Sequence, residues 1–587
     1  MIQDHVDKSA SPELEVLTAE MQPTNRRRFG LPSARVLAGA VFSISLLCVV
    51  LYFDGQKSIH DLVAQDRLAE VFESTNSDLS TSCNGASSLN SWIDVESVRA
   101  RELLLRNIGP VAGALDGAVI ASPSRGETDE LPDYYYTWTR DSALVLASLL
   151  PGFLPEVYLQ PWMDSPEPGL DHHLGEITNH TSDLLLEPLL RAYITTQADL
   201  QDIDTISGNL RSGGLSEPKF QVDGKAYDGV WGRPQRDGPA LRALATIPYA
   251  HYLLDRAFPA DIQYVRERLY DPVFVTEPGK VIKNDLEEVA AGWWKAGFDI
   301  WEEVNGHHLF TRLSSLRALE AGAKLAQRLN DTGAAMFYTE QADQLGRTLS
   351  QFLTSINGTE YYRATVFDQP LADQRKSLDS ALLLSVIHTS TYPGRGTGAW
   401  LFDPTHPVLL STVREYIRTF EGLYSINAGT VWTEGWAVGR YAEDIYNGIN
   451  VSQGNPWFIC TFSVAHVLYL VQLAVLEAKQ IQLVALTIPF WTDVLGETPS
   501  ATSNGSIDEG SATYKQAVSR LAEVADGYME VGRRFAVNGR MSEQIHRSEG
   551  MMVGARDLTW SYASFLEAAR ARRTVRLKLD SLGVRWT

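Results

Sequence analysis

Apolar positions in this chain recur mostly at helical spacing, and stretches that alternate strictly between apolar and polar residues are few. Val98, Leu103, Leu104 and Leu105 mark a helical stretch that Gly109 can end. Asp141 to Leu150 reads as a short apolar helix stopped by Pro151. Leu558, Tyr562, Phe565, Leu566 and Ala569 fall three and four apart, the stripe of an amphipathic helix. Cys460 to Ala478 is apolar almost throughout, but it carries His466, Gln472 and Glu477, so a buried core helix is expected rather than a membrane span. Long loops rich in Gly, Pro and aromatic residues separate these segments, and Glu497 to Ala512 has the composition of a flexible one. With no Gly-rich phosphate loop in view, the pattern predicts a mostly α domain whose chemistry sits on loops.

One run differs. Val36 to Phe53 holds no charge, and as a helix it spans ~27 Å, close to the bilayer core. Arg26, Arg27, Arg28 and Arg35 precede it, while Asp54 and Lys57 follow, which predicts a cytoplasmic N-terminus and a translocated remainder. A cleaved signal peptide is the rival, opposed by the 35-residue polar leader and the lack of a clear small-x-small cleavage site. The expected organisation is therefore a disordered tail (1–35), a transmembrane signal anchor (36–53), a Ser/Asn-rich stem (54–90) and a catalytic domain (91–587). Sequons at Asn179, Asn330, Asn357, Asn450 and Asn504 all lie beyond the anchor, as glycosylation in the lumen requires.

Composition narrows the class. The 587 residues include 72 Asp and Glu against 51 Lys and Arg, for a net charge of −21, which disfavours binding to nucleic acid. Three cysteines, Cys48, Cys83 and Cys460, are too few for a disulfide framework. Fourteen tryptophans and 23 tyrosines suit either a core of large rings or a site that stacks on sugars.

Five segments carry candidate chemistry. In Phe298-Asp299-Ile300-Trp301-Glu302-Glu303-Val304-Asn305-Gly306, three carboxylates crowd beside a tryptophan, and like charge plus desolvation favour a protonated carboxyl near neutral pH. A solvated acidic turn is the alternative. Met541-Ser542-Glu543-Gln544 matters because glycoside hydrolysis needs a second carboxyl on the opposite face of the sugar. Glu543, 241 residues beyond Glu302, can supply it. Asp299 would share a face with Glu302 if that stretch were helical. The run from Pro132 to Asp141 (PDYYYTWTRD) offers stacking rings and an Arg–Asp pair to grip vicinal hydroxyls, or a capped helix start. Trp231 to Arg242 (WGRPQRDGPALR) repeats that chemistry. Gly439 to Asp444 (GRYAED) and Gly454 to Phe458 (GNPWF) complete the set.

Together with LLRNIGP, LSEPKF and ARDLTWSYASFL, these segments resemble the fungal glucoamylases, the glucan 1,4-α-glucosidases of glycoside hydrolase family 15, from Ser91 to Arg573. The resemblance implies an all-α (α/α)6 barrel, six inner and six outer helices with the pocket at one end. It implies inverting, exo-acting release of β-D-glucose from α-1,4 and, more slowly, α-1,6 ends of starch, glycogen or maltooligosaccharides. It makes Glu302 the general acid and Glu543 the general base, with Asp299 supporting the acid. It assigns Tyr134, Trp138, Arg140 and Asp141 to the first sugar and Trp231 to packing over the acid. Trp301 joins the binding set, and Glu303, Arg440 and Trp457 hold the next sugar. No metal or cofactor is implied, and a monomeric type II membrane protein, luminal, vacuolar, extracellular or released by cleavage, is expected. The loop between Asp444 and Trp457 is longer than in the shortest family members, and a starch-binding module of the kind many secreted members carry is not expected. The competing readings are a membrane-anchored glucosidase that processes N-glycan precursors and an inactive glycan-binding protein.

Overall fold

The computed structural model describes residues 88–160, 183, 185–273, 276–368, 378–390, 403–500, 505–584 and 586. The run at Val36–Phe53, its flanking tail and nearly all of the stem lie outside the described residues, as do the sequons at Asn179 and Asn504.

Ser88 starts the first helix by accepting the Ser91 N–H on its side chain, an N-cap that satisfies one orphan donor. Helix α1 then runs Leu89–Arg106, beginning within the segment read as stem. Eleven more helices of nine or more residues follow among the described residues. They are α2 (Thr139–Leu149), α3 (Leu186–Gln201), α4 (Asp237–Arg256), α5 (Val281–Gly292), α6 (Leu309–Arg328), α7 (Thr332–Thr348), α8 (Ala381–Thr389), α9 (Pro407–Arg418), α10 (Phe458–Ala478), α11 (Ala512–Phe535) and α12 (Thr559–Ser581).

The even-numbered helices close into a ring: α2 packs on α4, α4 on α6, α6 on α8, α8 on α10, α10 on α12, and α12 returns to α2. Odd-numbered helices back them, with α5 on α4, α7 on α6, α11 on α10 and α1 on α12. That is the alternation of an (α/α)6 barrel. It explains the apolar run at Cys460 to Ala478, which belongs to α10: packed on α8, α11 and α12 at once, the helix buries all of its faces.

Two buried ion pairs join outer to inner helices. Arg242 on α4 grips Asp285 on α5 at 2.9 and 2.6 Å, and Arg572 on α12 grips Asp526 on α11 at 2.7 Å through both nitrogens. Burial pushes the Asp285 carboxyl up to about 6 against the pull of Arg242. Such pairs fix which surfaces meet more than they add stability, and removing one partner leaves a buried charge.

Short strands occupy the connections. β1 (Thr137–Trp138) pairs with β2 (Lys219–Phe220), and β3 (Gly297–Phe298) with β4 (Asn305–His308). β5 (Leu353–Ile356) and β6 (Thr359–Tyr362) form a hairpin on Asn357-Gly358, both at positive φ, as a two-residue turn demands. That turn exposes the sequon at Asn357, and Asn330 and Asn450 are exposed as well. β7 (Thr365–Val366) extends the second sheet from β4. The stretch Glu497 to Ala512 is not all loop: β8 (Gln480–Gln482) pairs with β9 (Ser506–Asp508), because Ile481 and Ile507 point together into the core. The last pair, β10 (Gln544–Ile545) and β11 (Met552–Val553), flanks Glu543.

The motifs lie at the starts of the inner helices. Trp138 precedes α2, Gln235 and Arg236 precede α4, and the acidic segment with β4 precedes α6. Asp379 precedes α8, Trp457 precedes α10, and Trp560 lies in the first turn of α12. Trp301 touches Asp379, Trp457 and Trp560, and Trp138 touches Glu302, so these N-termini converge at one end of the ring. Their macrodipoles turn positive ends towards the carboxylates gathered there.

Candidate active site

The segment Asp299–Val304 is a turn between β3 and β4, not a helix. Buried Asp299 shapes it: its Oδ1 accepts the backbone N–H of Glu303 at 2.7 Å and of Val304 at 2.9 Å. Glu302, at φ 66°, takes the left-handed backbone that this tight reversal requires. Its Oε1 accepts three hydrogen bonds, from Trp138 Nε1 at 2.8 Å, Gln235 Nε2 at 3.0 Å and Arg140 Nη2 at 3.2 Å. Arg140 is itself held by Gln235 Oε1 at 2.8 Å, Asp237 at 3.2 Å and Asp141 at 3.4 Å. Burial raises the Asp141 carboxyl to about 6, although Arg140 pulls the other way.

Glu543 is fully buried. Its N–H donates to the Ala555 carbonyl at 2.8 Å, and its Oε2 accepts the Ala555 N–H at 3.4 Å and the Tyr446 hydroxyl at 3.5 Å. The Tyr446 and Tyr134 hydroxyls meet at 2.9 Å, and the Tyr134 ring lies 5.7 Å from that of Trp138. A chain of side chains thus runs from Glu543 through Tyr446, Tyr134 and Trp138 to Glu302. Both carboxylates act on the Tyr134 phenol, raising its pKa after burial itself. Burial pushes Glu543 up to about 8, opposed by the Tyr134 phenol, by Arg440 and by the Ala555 N–H. Its Oε1 is buried and has no hydrogen-bond partner among the described residues.

Gly554 makes room for this carboxyl. At φ 75°, a Cβ there would stand 2.3 Å from Glu543 Oε2. Gly554→Ala is expected to lower kcat at least about tenfold and to reduce Tm, since it combines left-handed strain with displacement of the glutamate. Steady-state kinetics and a thermal melt check this.

A second carboxylate cluster adjoins the first. Glu303 meets Arg440 at 2.8 Å and accepts the Tyr441 hydroxyl at 2.6 Å, while Arg440 grips Asp444 at 2.7 and 2.8 Å. The Arg440 guanidinium lies 5.2 to 5.4 Å from the Trp301, Tyr441, Tyr446 and Trp457 rings. Trp301 donates Nε1 to Asp379 at 2.8 Å and stacks on Trp560, so it is tied to the N-terminal ends of α8 and α12. Trp231 joins the other flank, 5.9 Å from Trp138.

Two carboxyls linked through aromatic side chains and flanked by Arg–Asp grips are equipped for acid–base work on a polyhydroxylated substrate. Comparison with known proteins decides the family. The model of glycosyl hydrolases family 15 matches residues 98–570. The chain belongs to glycosyl hydrolases family 15.

This family member is a glycoside hydrolase of the glucoamylase type. Glucoamylase-1 of Schizophyllum commune is 34% identical over 491 residues, covering 83% of this chain and 74% of that protein. The probable glucoamylase of Schizosaccharomyces pombe is 33% identical over 496 residues, covering 83% and 93%. Among solved structures, the family 15 glucoamylase of Hypocrea jecorina superposes with a TM-score of 0.68 at 33% identity, covering 83% of this chain and 73% of that one. The glucoamylase of Saccharomycopsis fibuligera gives the same TM-score at 29% identity, covering 84% and 96%.

Of the family 15 candidates read from the sequence, Tyr134, Trp138, Arg140, Asp141, Glu302, Glu303, Arg440, Trp457 and Glu543 form one connected network. Asp299 lies beneath it and Trp301 behind it. Sequence reasoning passed over Gln235, Asp237, Tyr446 and Lys219. Gln235 and Asp237 stand inside the motif string that begins at Trp231, Lys219 stands inside LSEPKF, and Tyr446 lies two residues past GRYAED, so proximity to a motif was the signal available.

Proposed function

We propose that the chain is an exo-acting, inverting glucan 1,4-α-glucosidase. It takes terminal α-1,4-linked glucose, and α-1,6-linked glucose more slowly, from starch, glycogen or maltooligosaccharides and releases β-D-glucose. The observation carrying this reading is the unpartnered, buried Oε1 of Glu543 on the far side of Tyr134 and Trp138 from Glu302. A buried carboxylate oxygen without a donor is a place for a water or a sugar hydroxyl.

In this mechanism Glu302 donates its proton to the glycosidic oxygen as the C1–O bond breaks. A water held by Glu543 Oε1 attacks C1 from the opposite face and gives its proton to that carboxylate. The donating water also stabilises the anionic form of Glu543, against the burial that raises it. Arg140 and Asp141 grip hydroxyls of the first glucose beside Tyr134 and Trp138, under Trp231 and against Trp301. Glu303, Arg440 and Trp457 hold the second sugar, and Asp299 keeps the turn that aims Glu302.

Digestion of maltotriose followed by proton NMR is expected to show β-glucose forming first and mutarotating afterwards. Initial α-glucose would refute inversion. Cleavage of a glucosylated high-mannose glycan in preference to maltotriose would favour the processing glucosidase, and maltose binding without turnover a glycan-binding protein. We further propose that Val36–Phe53 anchors the chain in a type II orientation. N-terminal sequencing of the mature protein tests this, and a start beyond Phe53 would replace the anchor by a cleaved leader.

A further inference from the structure

Lys219 lies in LSEPKF, a motif to which the reading above assigns no role. Strand pairing sets it opposite Trp138, the ring that donates to Glu302. The residue is only 2% exposed. Its ammonium stands 3.7 Å from the centre of the Trp231 ring, 4.0 Å from Tyr136, 4.2 Å from Tyr227 and 4.6 Å from Trp138. Among the described residues it makes neither a hydrogen bond nor an ion pair.

The four rings also hold one another. Tyr136 meets Trp138 at 6.1 Å, Trp138 meets Trp231 at 5.9 Å, Trp231 meets Tyr227 at 5.9 Å, and Tyr227 meets Tyr136 at 5.2 Å. Interplanar angles of 61° to 88° make every contact edge-to-face. The cycle closes around one cation. A desolvated cation–π contact contributes up to about 2 kcal/mol, so four of them are of the size needed to offset burial of an ammonium. Even so, burial draws the Lys219 pKa down to about 8, against the fields of Glu302 and Asp133 and with that of Arg233.

An unbranched apolar side chain would fill this cage without any desolvation penalty. What lysine adds is charge, and the charge pulls on ring faces whose orientation decides where the Trp138 N–H points. We propose that Lys219 is a positioning residue for the acid: its ammonium locks the four-ring cage so that Trp138 Nε1 stays aimed at Glu302 Oε1. This rests on the assignment of Glu302 as the acid. It deepens that reading by naming the cation that holds the acid's hydrogen-bond donor in place from behind.

The test compares the full-length wild-type protein with Lys219→Met on two substrates. Maltotriose requires a protonated leaving group; α-glucosyl fluoride does not, because fluoride departs as the anion. Lys219→Met is expected to lower kcat on maltotriose about tenfold, with KM changed less than about twofold, the size of one lost desolvated cation–π contact. Turnover of α-glucosyl fluoride is expected to stay within about twofold of wild type, and Tm to stay level or rise. Lys219→Ala supplied with n-propylammonium is expected to recover maltotriose turnover, whereas propan-1-ol is expected to leave it unchanged. Equal losses on both substrates, no loss on maltotriose, or failure of Lys219→Met to fold would overturn the positioning role. Wild-type protein inactive on both substrates would instead sink the functional reading on which it rests.

Discussion

Glu302→Gln is expected to lower kcat on maltotriose by at least about a thousandfold, within the range that a positioned general acid contributes. KM is expected to change little. The amide oxygen of glutamine can still accept from Trp138, Arg140 and Gln235, which meet at Oε1 in the native site. The variant has lost only a dissociable proton. On α-glucosyl fluoride, whose leaving group needs no proton, Glu302→Gln is expected to remain within about tenfold of wild type. Steady-state kinetics on the two substrates check both halves. An undiminished rate on maltotriose would remove Glu302 from the role.

Glu543→Gln is expected to abolish turnover of both substrates, because the attacking water needs a proton acceptor whatever the leaving group. Its effect on stability should have the opposite sign. Burial raises the native carboxyl from 4.5 to about 8, so between those values the folded state binds more protons than the unfolded one. Stability contributed by this group is therefore complete below about pH 4.5 and is lost as pH rises towards 8. An uncharged glutamine avoids that loss, which linkage places at no more than about 3 kcal/mol at pH 7. The Tm of Glu543→Gln should match wild type near pH 4.5 and exceed it by a few degrees at pH 7 and above. A Tm difference that is flat with pH would show that this carboxyl does not titrate with folding. An inactive yet more stable variant is what a strained, desolvated catalytic group produces.

Parts of this arrangement were legible from residue pattern alone. Leu558 to Ala569 marked α12, and His466, Gln472 and Glu477 within Cys460 to Ala478 marked a core helix rather than a span. Helical periodicity is local, so a window of sequence contains it. The acidic segment was legible as chemistry but not as shape: close spacing suggested a helix face, yet Asp299 accepts two backbone N–H groups and folds it into a turn. Its crowded carboxylates also suggested where a proton would be retained, while burial places a large upward shift on Glu543, whose polar neighbours along the sequence give no sign of burial. Desolvation depends on what packs around a group from distant parts of the chain, and no local window carries that.

By itself the sequence determined the helix-and-loop class and the acidic and aromatic character of the motifs, for which residue types and periodicity suffice; its resemblance to family 15 then nominated Glu302 and Glu543 as the pair to join. Only the tertiary structure decided that the ring closes α12 onto α2 and gathers its motifs at the helix N-termini, that Tyr134 and Tyr446 link the two glutamates, and that Lys219 sits inside four rings. These are contacts between positions tens to hundreds of residues apart. They are set by which surfaces bury one another and not by what stands next along the chain.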